Sequence, residues 1–477
     1  MLYRFRWVFC HLDARQHCFQ PNPRQYLNDL PETSDEIYEQ ILGDINRAQK
    51  DIARRLLQCL TVAVRPLQVE ELAELLAFDF QVPTTGGMPT LKEDWRWDDE
   101  EEAVLSTCSG LITIIHHANT RVVLFSHFSV KEFLTSSRLA RSPHGEISRF
   151  HIDLEPAHMI MAQACIATLL RQDERARNSD TKVSPLVNYA AHHWVDHARF
   201  ENVSLRVRDA IDDLFDSSKP HFWAWILVHD FDKEWGLYCP RDGLGSPLYY
   251  AALCGLYHPA ERLIARHPEQ VNAPGGYYLF PLPVALRKRY FCVANLLYTH
   301  GAVVDVQGYD KFTPLHEASS DNQVDTMRWL LDHGADTNAR TKDLWTPLYI
   351  AAPWRTEAVQ VLLEHNADTN LQDIHGRTPL YRASTWPLDL MAADVVRRLL
   401  EHGADPNIRT KHTTPLHQAS SCGLLEVARL LLRYGAKVDE KDEKDMTPLQ
   451  VVASESRRHE ELTKLLIEHG AVTQSQQ

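Results

Sequence analysis

The chain has 477 residues, 44% of them hydrophobic and 24% charged, with a formal net charge of −14. Such a length suits about three domains, and the acidic balance argues against nucleic acid and anionic membranes as primary partners, because affinity for phosphate surfaces comes mainly from Lys and Arg. Nine cysteines without a CxxC pair read as reduced, mostly core thiols; with no apolar run of membrane-spanning length and no signal-peptide core in the first residues, the expected location is the cytoplasm, with the nucleus as the alternative.

Phe5, Trp7, Val8, Phe9 and Leu12 fall at a spacing that suits a buried helix within residues 1–30. Ile37, Ile41 and Ile45, then Ile52, Leu56, Leu57 and Leu60, predict amphipathic helices over 35–65, and Pro66 breaks the run before a short helix from Val69 to Phe78. The acidic run 98–102 opens another helix, where negative charge favours the N-terminus. Leu111 to Ile115 and Val122 to Phe125 flank a polar turn at His116 to Thr120, which predicts a hairpin, and a helix from Ser129 to Leu134 closes the unit. Helices followed by one hairpin describe a winged helix over 31–142. The helix assigned to the DNA groove, Val69 to Phe78, carries Glu70, Glu71 and Glu74 and no basic side chain, so phosphates would be repelled; a DNA-binding winged helix is a minor alternative.

Residues 143–239 read as a helical linker domain, its core supplied by Met159, Met161, Leu169, Leu170, Trp194, Phe222, Trp223, Trp225 and Ile226. In it His193 and His197 stand at i, i+4 beside His192, the spacing of two zinc ligands. The Glu of a His-Glu-x-x-His protease is missing and local spacing offers no third ligand. A packed or capping histidine cluster is therefore expected, a metal-dependent hydrolase being the alternative from another functional class.

Four runs in this half are similar to the region that follows the nucleotide-binding domain in fungal NACHT and ankyrin proteins of the signal-transducing ATPase (STAND) class. They are Phe5 to Leu12, Leu30 to Thr33 with Glu36-Ile37-Tyr38, Val64 to Leu67 with Glu71-Leu72-Ala73, and Phe125 to Leu134. The resemblance implies that the winged-helix and helical modules join an ATP switch to C-terminal sensing repeats, with residues 1–30 a remnant of the region after the ATPase. The phosphate-cradling loop ending in Gly-Lys-Ser or Gly-Lys-Thr is absent, and Gly86-Gly87 lacks the lysine and reads as a turn. The expectation is the C-terminal part of a larger receptor, from a truncated gene or a paralogue without its motor, with a separate or missing NACHT ATPase domain as one partner. No nucleotide, metal or other cofactor is expected.

From residue 240 onward a Thr-Pro-Leu-His type tetrapeptide recurs, its prolines at 247, 281, 314, 347, 379, 415 and 448 spaced by 34, 33, 33, 32, 36 and 33 residues. A His-Gly-Ala marker or a close variant keeps pace at Gly301, Gly334, Asn366, Gly403, Gly435 and Gly470. Two punctuation marks at one period mean stacked units. Thr or Ser caps a first helix with Pro at its first position, and Leu and Ala bury three apart, as at Leu315 and Ala318. A second helix buries Met327, Leu330 and Leu331 or their equivalents, and the Gly supplies a left-handed cap that Asn366 also tolerates. Extra residues around Trp386, Pro387 and Met391 are expected to bulge between the two helices of their unit.

This pattern resembles the ankyrin repeat over 240–473, about seven units with the first two degenerate and a tail at 474–477. The fold class is thus mainly α: winged-helix-like and helical modules followed by an ankyrin-repeat solenoid of helix-turn-helix repeats with β-hairpin loops. The resemblance implies a non-catalytic protein–protein interaction module, the sensor or adaptor portion of a NACHT-type signalling receptor, binding a protein partner on the concave ankyrin face. Lys311, Leu344, Gly376 and Asp445 stand where the family usually has Gly at the loop tip, followed by Phe312, Trp345, Arg377 and Met446. Phe, Trp and Arg are interface hot-spot types. The candidate partner site is Phe312, Trp345, Trp354 and Arg377, with Lys311, Leu344 and Trp386; local packing against the next loop is the alternative for some of them.

Overall fold

A computed structural model describes residues 34–81, 88–108, 110–117, 120–172, 184–229, 244–385, 389–454 and 460–472. The readings of residues 1–30, of Gly86-Gly87, of Trp386 and Pro387 and of the 474–477 tail lie outside them. The chain forms two compact units that meet in sequence between residues 239 and 240.

In the first unit, helices Lys50–Val62, Val69–Leu76 and Glu100–Cys108 precede the hairpin of Ile112–His117 and Thr120–Phe125. The hairpin runs from the pair Ile112↔Phe125 to His117↔Thr120, and a two-residue strand, Leu67–Gln68, adds to its Thr120–Phe125 edge. This order of helix, strand, two helices and hairpin is that of a winged helix. The helix that leads directly into the hairpin is Glu100–Cys108, opened by the acidic run, and Val69–Leu76, which the sequence reading assigned to the DNA groove, is the helix before it. Leu56, Leu57, Leu67, Leu72, Leu75, Val104, Leu111 and Val130 are fully buried among these elements. Helix Leu154–Leu170 packs along Val187–Ala198, and Trp194, Phe215, Phe222 and Trp225 form an edge-to-face aromatic cluster beneath them.

Two carboxylates are buried in helix Val69–Leu76, and each has its own arginine. Glu71 receives Arg65 through bonds of 2.5 and 2.8 Å and also accepts the Gln68 amide at 2.9 Å, closing a capping box. Glu74 receives Arg96 at 2.8 and 2.9 Å and Ser184 Oγ at 2.9 Å. Bidentate pairing of this kind is what makes buried carboxylates tolerable.

The second unit is a double row of helices. First helices Pro247–Leu253, Pro281–Arg287, Pro314–Ser320, Pro347–Ala351, Pro379–Ala383, Pro415–Cys422 and Pro448–Ser454 alternate with second helices Tyr257–Arg266, Phe291–Thr299, Val324–Asp332, Thr356–Glu364, Asp389–Glu401, Leu425–Arg433 and Glu460–Glu468. These pairs are numbered here as repeats 1 to 7. Each first helix packs on the next first helix, and the second helices form a row of their own. The leucine and alanine positions read from the sequence, among them Leu315, Leu330, Leu348, Leu362, Leu380, Leu399, Leu416 and Leu431, are fully buried. Thr346 and Thr378 cap their helices through Tyr349 N and Tyr381 N, both at 3.1 Å. A Cβ added at Gly334 or Gly403 meets nothing within 4 Å, so glycine stands there because of φ values of 87° and 85° and not for lack of room; Asn366 takes the same turn at 58°.

Two hydrogen-bonded ladders join successive repeats. The fourth motif position reaches forward to the next loop: His316 Nε2 to Trp345 O at 3.0 Å, Tyr349 Oη to Asp373 Oδ2 at 2.9 Å, Tyr381 Oη to Thr413 Oγ1 at 3.0 Å, and His417 Nε2 to Met446 O at 3.0 Å. The Asn or Asp at the end of each unit accepts an amide from the turn of the following one. Asn272 takes Val303 N, Asp305 takes Asp336 N, Asn338 takes Asp368 N, Asn370 takes Asp405 N, Asn407 takes Lys437 N and Asp439 takes Val472 N, all between 2.8 and 3.1 Å. In repeat 5 the added residues lengthen the second helix: Met391 lies inside Asp389–Glu401 and not in a bulge, with Leu390 80% and Met391 50% exposed.

Candidate partner-binding surface

The inter-repeat loops are tight turns, their ends joined by a backbone bond: Gly308 N to Phe312 O at 2.7 Å, Thr341 N to Trp345 O at 3.1 Å, Asp373 N to Arg377 O at 2.9 Å and Asp442 N to Met446 O at 2.9 Å. Neighbouring turns are also tied to each other, Lys342 N to Asp310 O at 2.9 Å and Ile374 N to Asp343 O at 3.2 Å. A closed turn needs one left-handed residue before its last position. Lys311 at φ 62°, Leu344 at 60°, Gly376 at 77° and Asp445 at 59° take that place, so Leu and Lys hold a conformation that costs about 1 kcal/mol or more relative to Gly.

Lys311 and Arg377 are exposed, as are Leu344 and Trp354, and Phe312 and Trp345 are half-buried. The loop ridge thus brings Lys311, Phe312, Leu344, Trp345 and Arg377 into three linked turns. Trp354 stands apart from them, in the turn beyond the far end of helix Pro347–Ala351. Phe312 and Trp345 each pack on the first helix of their own repeat. The Phe312 ring lies 5.5 Å from that of His316, and Trp345 stacks on Tyr349 at 5.8 Å and 26°.

Three further groups of this surface escaped the sequence reading. Arg382 sets its guanidinium 4.8 Å from the Tyr349 ring and 5.6 Å from the Trp345 ring. Asp373 is buried and holds its turn by accepting His375 N and Arg377 N, both at 2.8 Å. Tyr309 and Ile374 expose 59% and 46% at the tips of their turns. Setting the loops in register would have paired Tyr309 with Ile374, but Arg382 and Asp373 are joined only through Tyr349, which no local spacing reveals.

In the first unit, His197 is buried with both ring nitrogens engaged, Nδ1 with His158 Nδ1 at 3.0 Å and Nε2 with Tyr189 Oη at 2.9 Å. Burial, and then the neighbouring His158, push its pKa down to about 3, so it is neutral near neutral pH. His193 bonds Asp196 at 3.2 Å and His192 bonds Asn188 O at 2.8 Å. The three histidines are thus committed to packing and bonding within the protein, and no group of three or more metal-ligating side chains occurs among the described residues. The helix before the hairpin opens with Glu100, Glu101 and Glu102, and Arg121 of the hairpin is held by Glu70, Glu100 and Glu101. The surface that DNA-binding winged helices present to phosphate is acidic here.

Comparison with known proteins finds family matches in both units. Residues 338–410 and 392–477 match the family "Ankyrin repeats (3 copies)", residues 297–351 match "Ankyrin repeats (many copies)", and residues 42–143 match "GPI inositol-deacylase, winged helix domain". The azaphilone pigments biosynthesis cluster protein L of Monascus ruber is 31% identical over 58% of this chain and 61% of its own length, and the human protein phosphatase 1 regulatory subunit 27 is 30% identical over 18% and 60%. The chain therefore spans about six-tenths of the length of these relatives. Among solved structures, the ankyrin repeat domain of Bcl-3, a member of the IkappaB protein family, is 32% identical over 46% of this chain and 98% of that one, with a TM-score of 0.42. No described helix is long and apolar enough to cross a membrane. The chain carries ankyrin repeats and a winged helix domain of the GPI inositol-deacylase type.

Proposed function

We propose that the chain is a non-catalytic recognition module that binds a protein partner on the concave side of its repeats, through the first helices and the loop ridge. Phe312, Trp345 and Arg377 form the centre of the site on the ridge, with Lys311 and Leu344 beside them, Trp354 at the far end of helix Pro347–Ala351 and Trp386 in the neighbouring repeat. The observation that carries this reading is the ridge itself: large aromatic, aliphatic and cationic side chains stand on turns held rigid by two sets of backbone bonds, and two of those turns keep a non-glycine residue in the left-handed region. Rigid aromatic and arginine anchors are the residues that dominate interface energetics. The winged-helix and helical modules then act as the coupling segment between this sensor and a NACHT-type ATPase, and the complex works in signalling in the cytoplasm.

Alanine substitution tests the site. Single changes at Phe312, Trp345, Trp354 and Arg377 are expected to cost more than about 1 kcal/mol each of binding to a partner captured from lysate, with circular dichroism and melting as in the parent. Full binding by all four variants, or loss only through unfolding, places the sensor elsewhere.

A further inference from the structure

One register position of the first helices is accessible in repeat after repeat. Counting the capping Thr as the first residue, the fifth is half-buried in four consecutive repeats, as Glu317, Ile350, Arg382 and Gln418, while the capping Thr, the Pro and the Leu of each helix are buried. Because these helices pack side by side, the four residues form a line across repeats 3 to 6. Its chemistry runs in order from acidic to apolar to basic to amide.

Neither charge on that line forms an ion pair among the described residues. Arg382 meets the rings of Tyr349 and Trp345, and its Nε is buried without a hydrogen-bond partner. The rings of Tyr349 and Trp345 hold its guanidinium in place, so a ligand need not supply the entropy of ordering it. The nearest acid in the network, Asp373, already receives Tyr349 Oη and two turn amides. At the other end Glu317 forms no ion pair among the described residues; its neighbour Arg287 pairs with Asp321 instead. Burial pushes the Glu317 carboxyl up, and only partly does Arg287 oppose this, so a cation placed there gains a poorly compensated carboxylate.

We propose that an extended segment of the partner lies across the first helices of repeats 3 to 5, with a basic side chain at Glu317, an apolar side chain over Ile350 and the Trp345 ring, and an acidic side chain on Arg382. Adjacent packed helices are about 8–10 Å apart and an extended chain advances about 3.3 Å per residue, so the basic and acidic residues lie about five or six positions apart. This rests on the recognition reading above and adds the charge order and spacing of the ligand.

The test is to pan a random-peptide display library against the full chain and to measure the selected consensus peptides by fluorescence anisotropy. The expected pool carries a basic and an acidic residue about five or six apart with an apolar residue between them. Panning on Arg382→Glu is expected to turn the acidic position basic, and panning on Glu317→Lys to turn the basic position acidic. The wild-type consensus peptide loses about ten-fold or more in affinity for Arg382→Glu, and the charge-swapped peptide regains it. Arg382→Gln, which keeps the length without the charge, should lose the acidic preference without gaining the reverse. A pool without charge order, a pool unchanged by these variants, or no enrichment overturns the proposal. If Trp345→Ala abolishes partner capture while panning stays charge-blind, the recognition surface stands and only the charge order fails.

Discussion

Tyr349→Phe isolates one rung of the forward ladder. The ring stays, so its stacking on Trp345 and its contact with Arg382 are kept and no cavity forms; what goes is the Oη bond of 2.9 Å to Asp373 Oδ2. Asp373 is buried, and its other oxygen is committed to His375 N and Arg377 N. A hydrogen bond to a charged group contributes about 1.5–3 kcal/mol, and a stranded buried acceptor loses that in full, so the expected cost is about 2 kcal/mol. Tyr381→Phe is the control. Its hydroxyl bonds the neutral Thr413 Oγ1 at 3.0 Å and Gln418 Oε1 at 3.1 Å from a half-exposed site, where water can substitute, and about 0.5–1 kcal/mol is expected. Urea denaturation followed by circular dichroism gives both numbers, and hydrogen exchange should show lost protection at the amides of His375 and Arg377 in the first variant. A cost below about 0.5 kcal/mol for Tyr349→Phe, or equal costs for the two, refutes the charged-acceptor reasoning.

Leu331→Ala, in the second-helix row of repeat 3, is expected to cost about 2–5 kcal/mol, and an unchanged melting midpoint contradicts the repeat register. For the buried pair Glu74 and Arg96 the cost should be asymmetric: Arg96→Ala strands a carboxylate that is 3% exposed and should lose about 3 kcal/mol or more, whereas Glu74→Ala frees an arginine already 42% exposed and should lose less; chemical denaturation of both variants decides, and equal losses refute the burial assignment. The unfolded chain protonates His197 near 6.5 and the folded chain only near 3, so the histidine contributes stability that is complete above pH 6.5 and is lost as pH falls toward 3. His197→Gln should flatten that part of the stability-versus-pH curve of the first unit, and an unaltered slope counts against a neutral buried imidazole.

The repeats were legible because each is written several times: a Thr-Pro start, a buried Leu stripe and a Gly stop recur at one period, and errors in one copy are corrected by the others. Within the winged helix the hairpin was legible from alternation, and the acidic run marked the helix that leads into it. Strand Leu67–Gln68 was not legible: it has two residues and exists through its pairing with Val122 and Val123, which leaves no local pattern in the sequence. Repeat 5 was misread for a related reason, since Pro387 and the added residues mark an insertion without saying that most of it continues as helix. On the candidate surface, the exposed Lys311, Leu344 and Arg377 were found by their register. Arg382 was passed over because its role depends on two rings from the preceding repeat.

The rear ladder of Asn and Asp side chains carries a consequence for how such an array can grow. Each unit contributes one side-chain acceptor to the unit after it and one backbone donor to the unit before it, and the donor is an amide that any residue but Pro can supply. A stretch of DNA encoding one whole period can therefore be duplicated or deleted, and both new junctions inherit a matched donor and acceptor without any compensating substitution. Additions inside a unit are accepted only away from the two joints. The bond from Asn370 to Asp405 spans 35 residues where that from Asn338 to Asp368 spans 30, and both form at 2.8–2.9 Å, which marks the start of the second helix as the place where this array absorbs new length.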